Sequence, residues 1–205
     1  MLRGRLHQVA FFASIPAGVV LLLFAPGPLA VVGALIYWIA LLGQFGTSAA
    51  YHVGSWGEEG RARMKTLDHA TIFILIAGSY TAFCSIVLEG TQAVAVLAIV
   101  WGGAAIGIAT KLYRTDLHVF SGFLYLGLGW VAVIVFPALV RDLSTTQLAL
   151  TVLGGVLYSA GALALALHRP NLWPRTFGYH EVWHAATIAA AACIYTAILL
   201  VFLSR

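Results

Sequence analysis

Long apolar runs separated by short polar breaks account for nearly all of this chain. Seven segments are mostly apolar over about 20 residues: roughly 8–25, 29–54, 67–88, 92–110, 118–140, 147–167 and 179–203. That is the length a helix needs to cross a bilayer. The breaks fall at Pro26-Gly27-Pro28, Ser55 to Thr66, Glu89-Gly90-Thr91, Lys111 to Leu117, Arg141 to Thr146 and His168 to Thr176. An unbroken apolar run closes its backbone hydrogen bonds within one helix, so helices are expected rather than a barrel. The pattern predicts an all-α, polytopic membrane protein: a seven-transmembrane-helix bundle forming one domain over residues 1–205, with no internal repeat and no linker. Gly103-x-x-x-Gly107 predicts a close helix approach in the fourth span. Pro16 and Pro137 predict kinks in the first and fifth.

Composition agrees. The chain is 61% hydrophobic and 9% charged, against roughly 25% charged residues in a soluble domain. No short apolar core leads into a small-residue cleavage site and a polar mature chain, so the first span is expected to be retained. Cys84 and Cys193 both lie within apolar runs, which argues against a disulfide framework and against a thiolate metal site. The formal charge of +4 comes from basic residues scattered over short loops, a pattern that excludes a nucleic-acid surface and reports topology instead. With the N-terminus inside, the cytoplasmic segments carry nine basic residues: Arg3, Arg5, Arg61, Arg63, Lys65, Lys111, Arg114, Arg169 and Arg175. The outside carries only Arg141 and Arg205. The positive-inside rule therefore predicts an N-in, C-out arrangement.

This topology gathers the polar residues. His52 ends span two and Ser48 lies one turn deeper, about 6 Å by helix rise. Asp68 and His69 open span three. His180 opens span seven, with His184 one turn further in. Ser48, His52, Asp68, His180 and His184 are thus expected at one depth, near the cytoplasmic face. Polar groups at membrane depth are costly and face the bundle interior or a wet cavity. His180 and His184, four apart, share a helix face, and His52 supplies a third nitrogen. Three imidazoles with an open fourth position describe a catalytic zinc site, in which bound water becomes hydroxide near neutral pH. Asp68 is the expected base and Ser48 the orienting donor. Asp68 has an alternative reading as a helix cap, and Ser48 as a back-bonded helix residue. His7, His118 and His168 are read as ordinary interfacial histidines, and His69 as an outer or surface residue.

His180-Glu181-Val182-Trp183-His184 also fits the H-E-x-x-H pattern of zinc proteases, in which the glutamate is the base. Only 21 residues follow His184, with no histidine or carboxylate among them, so a third ligand must come from upstream. Glu181 lies about 100° round the helix from the two histidines and is read as a solvated or interfacial residue.

Ser48-Ala49-Ala50-Tyr51-His52, the stretch LDHATIFILIAGSYTAF from Leu67, and FGYHEVWH from Phe177 together resemble the haemolysin III branch of the progestin and adipoQ receptor family, along the whole chain. The resemblance implies zinc bound by His52, His180 and His184, with Asp68 and Ser48 beside it, in a bacterial inner membrane. The receptor branch and the alkaline ceramidases imply hydrolysis of a lipid amide; the haemolysin name implies cytolysis. Three functions compete. One is a zinc-dependent hydrolase of a lipid amide or ester. The second is a non-enzymatic pore-forming or membrane-regulating protein with a structural zinc, where only a homo-oligomer would line a pore. The third is an intramembrane protease based on Glu181. Membrane lipids are the expected partners.

Overall fold

The computed structural model describes residues 2–114, 117–173 and 176–205, with the side chains of Arg3 and His118 left aside. Arg175, counted above among the cytoplasmic basic residues, lies outside the described residues. The chain runs through α1 (Leu2–Leu23), α2 (Pro28–Val53), α3 (Glu58–Cys84), α4 (Gly90–Tyr113), α5 (His118–Gly129), a 3-10 stretch (Val131–Val135), α6 (Phe136–Asp142), α7 (Thr145–Leu167) and α8 (Tyr179–Leu203). Seven of the resulting spans are long and apolar enough to cross a membrane, the fifth comprising α5, the 3-10 stretch and α6. Large apolar side chains such as Leu29, Ile106, Phe123 and Leu163 are more than half exposed. An outward apolar surface of this kind suits lipid rather than water.

Two boundaries differ from the sequence reading. Helix α3 starts at Glu58 rather than near Leu67, because the polar stretch before the apolar run is itself helix-forming. Glu58 and Glu59 sit in its first turn, where the helix dipole favours carboxylates, and Glu59 pairs with Arg63 one turn on. The fifth span is interrupted. Pro137 lacks an N–H and so suits the first turn of α6 rather than the interior of a longer helix, and the run Val131 to Val135 before it tightens to 3-10 geometry. Tyr80 of α3 serves the interruption from both sides: its hydroxyl donates to the Gly129 carbonyl at 2.9 Å and accepts from the Ala132 N–H at 2.8 Å. Backbone groups freed from a helix ladder within a bilayer need such partners.

Gly103 and Gly107 do permit close approach, each to a different helix. A Cβ at Gly103 would lie 2.5 Å from Leu128 of α5, and one at Gly107 2.2 Å from the Phe73 ring of α3. Cys84 is buried filler and both cysteines are free. A cavity of about 310 Å³ lies between α2, α3, the interrupted fifth span, α7 and α8. Its wall includes Tyr80, Gly129, Trp130 and Ala132, so the interruption opens onto it.

Candidate metal centre

Antiparallel packing brings the start of α1, the end of α2 and the starts of α3 and α8 to one end of the bundle. There the nitrogens of His52, His180 and His184 lie within 4.8 Å of one another. The ring centres are 4.9 Å apart for His52 and His184, 5.0 Å for His180 and His184, and 5.2 Å for His52 and His180. His184 is fully buried.

Asp68 lies beside this cluster, its Oδ2 4.0 Å from His52 Nε2. The Ser48 hydroxyl hydrogen-bonds the Asp68 carboxylate, and both residues are buried. The register between α2 and α3 is held nearby by Thr47 and Thr71, whose hydroxyls meet at 3.0 Å. Asp68 sits three turns inside α3, which removes the reading of it as a helix cap. Ser48 makes a bond between helices, so it is more than a back-bonded residue. The donor set fits a divalent ion: three imidazoles on two helices, with a carboxylate 4.0 Å from one of them. Imidazole suits zinc and its first-row neighbours.

Two residues depart from the sequence reading. Glu181 is neither solvated nor interfacial: it is buried. Its Oε2 accepts from the Gly178 N–H at 3.0 Å, closing the first turn of α8. The Tyr179 N–H is taken by Asn171 Oδ1 at 3.2 Å. Glycine at the cap with glutamate three residues on is a capping spacing, so the signal was present in the sequence.

His7 is not an ordinary interfacial histidine either. It is 1% exposed. Its ring centre lies 4.0 Å from that of His184, tilted by 35°, and 5.2 Å from that of Phe45, edge to face. Neither ring nitrogen makes a hydrogen bond of good geometry among the described residues, a condition that costs about 1–3 kcal/mol per buried group.

His69 is half-buried, with its carbonyl accepting from the Tyr125 hydroxyl at 2.9 Å. His168 ends α7 in a left-handed conformation, exposed as expected. His118 is in α5, and its side chain is outside the described set.

The cavity begins one helical turn deeper than the centre. One turn deeper than Ser48, Asp68 and His184 lie Gln44, Ile72 and Thr187, and all three line the 310 Å³ cavity. Ser79, Thr151, Ser159 and Thr187 on its wall donate their hydroxyl protons to their own helix backbones, which leaves a predominantly apolar chamber beneath a polar end.

A family model described as haemolysin-III related matches residues 1–195. The Hemolysin-3 homolog of Bacillus subtilis (strain 168) is 30% identical over 197 residues, covering 94% of this chain and 89% of the relative. Hemolysin-3 of Bacillus cereus is 28% identical over 197 residues, covering 94% and 87%.

Proposed function

Starting from the fact that the chain belongs to the haemolysin-III related family of integral membrane proteins, we propose that it is a zinc-dependent membrane hydrolase acting on a lipid amide or ester. The observation that carries this reading is the join between three converging imidazoles with a carboxylate beside them and an apolar cavity one helical turn away. The cavity suits an acyl chain, and the polar end suits a carbonyl.

His52, His180 and His184 would hold the zinc, which when bound would supply a Lewis acid and lower the pKa of water. Asp68 takes a proton from the attacking water as its oxygen bonds to the substrate carbonyl carbon. Asp68 then returns that proton to the departing nitrogen or oxygen as the bond to carbon breaks, which gives a fatty acid and an amine or alcohol. Ser48 fixes the carboxylate for both transfers. The apolar wall below excludes water from the acyl chain and holds the carbonyl at the polar end. The positive-inside count supports a cytoplasmic position for this end and for the N-terminus, and the bacterial sources of the relatives support a bacterial plasma membrane.

The relatives' names favour a second reading: a cytolytic membrane protein in which the metal staples α2 to α8. Asp68→Asn separates the two. In the hydrolase it retains zinc and loses about 10²–10⁴-fold in turnover; in the stapled protein it retains zinc and all activity. The assay is purified protein in lipid nanodiscs against a panel of N-acyl and O-acyl lipids, with fatty acid release measured. Zinc-replete protein that releases none from any of them sinks the hydrolase.

A further inference from the structure

The first turns of α1 touch both helices that carry the candidate ligands. Gly4 lies against α2 so closely that a Cβ there would come 2.8 Å from His52 Cβ and 2.6 Å from Val53 Cγ2. One turn on, the His7 ring centre lies 4.0 Å from that of His184, tilted by 35°, and 5.2 Å from that of Phe45, edge to face. His7 is therefore held chiefly by ring packing, with both ring nitrogens buried. A phenyl ring would fill the same space without burying two polar nitrogens. A nearby charge that orients its dipole gives an imidazole an advantage over phenyl, and a divalent cation bound by His184 is the largest charge such a site could hold.

We propose that His7 is a positioning residue of the metal centre. Its ring fixes the plane of His184, and its nitrogens, a burden in the metal-free protein, stabilise the loaded one. Through His7 and Gly4, α1 braces the ligands on α8 and α2 together, and metal loading tightens the docking of α1. This inference rests on the metal reading above and adds a residue and a helix to it.

The test is zinc titration of detergent-purified full-length protein by competition with a chromogenic chelator. It is paired with thermal unfolding of the metal-free forms and the visible spectrum of the cobalt-substituted forms. His7→Phe is expected to raise the unfolding temperature of the metal-free protein while weakening zinc binding about tenfold, and His7→Ala to weaken it about 10–100-fold. Both are expected to alter the cobalt bands, which report ligand geometry. A residue serving packing alone would not move stability and metal affinity in opposite directions. If His7→Phe fails to fold, His7→Ala carries the same comparison of affinity and spectrum. Wild-type zinc affinity and an unchanged cobalt spectrum in the His7 variants overturn the role of His7 and leave the centre standing. A wild-type protein that binds neither ion overturns both.

Discussion

The two ends of the bundle differ in the polar residues they gather. At the end formed by α6, α7 and the last turn of α8, polar groups satisfy one another locally. Arg141 grips Asp142 through two hydrogen bonds of 2.8 and 2.9 Å. Ser144 and Gln147 form a reciprocal cap for α7, and Gln147 also donates to Ser204 at 3.3 Å. At the other end, imidazoles from α1, α2 and α8 crowd within ring contact. Neutral imidazoles offer one donor and one acceptor each. Three of them whose nitrogens converge within 4.8 Å are the observation behind the metal reading proposed above.

This contrast is open to direct attack. On the metal reading, the largest effect is expected from His184→Ala, which would remove one of three proposed ligands: metal content measured by mass spectrometry should fall to near none, with loss of the stabilisation that added zinc would confer. Retained stoichiometric zinc would break the comparison. Glu181→Ala should have a smaller effect. It opens the cap of α8 and lowers stability by about 1 kcal/mol, seen in thermal or denaturant unfolding, while zinc binding survives. If Glu181→Gln instead abolished a proteolytic activity, the glutamate would be the base of the protease reading. Arg141→Ala should do least, leaving zinc content unchanged and the unfolding temperature close to wild type, because an exposed pair between neighbouring residues adds little.

Much of this arrangement is legible in the sequence because hydropathy and helix parity are strong constraints. Seven apolar runs fix which helix ends share a face, and that alone puts His52, Asp68, His180 and His184 together. The same parity places the start of span one at that end, so His7 was within reach of the argument; a single histidine near a span edge carries no periodic partner to single it out. Glu181 was obscured by the H-E-x-x-H pattern, in which a capping glutamate and a catalytic one occupy the same letter. The tightening at Val131 to Val135 was hidden because a β-branched apolar run reads as continuous span, and only Pro137 hints at a break. The early start of α3 was hidden because a polar stretch between apolar runs reads as loop even where Glu59 and Arg63 are spaced to pair on a helix.

One consequence follows from the flanks of Asp68. Leu67, its neighbour on one side, is 45% exposed on the lipid-facing surface, and each residue step turns a helix by about 100°. Rotating α3 by a single step would carry the carboxylate toward hydrocarbon, at a cost of about 2.5–3.5 kcal/mol at the bilayer centre and less near the interface. Burying the carboxylate inside the bundle thus favours one roll of the helix over its neighbours. Replacing it by a residue as greasy as its neighbour would weaken that preference.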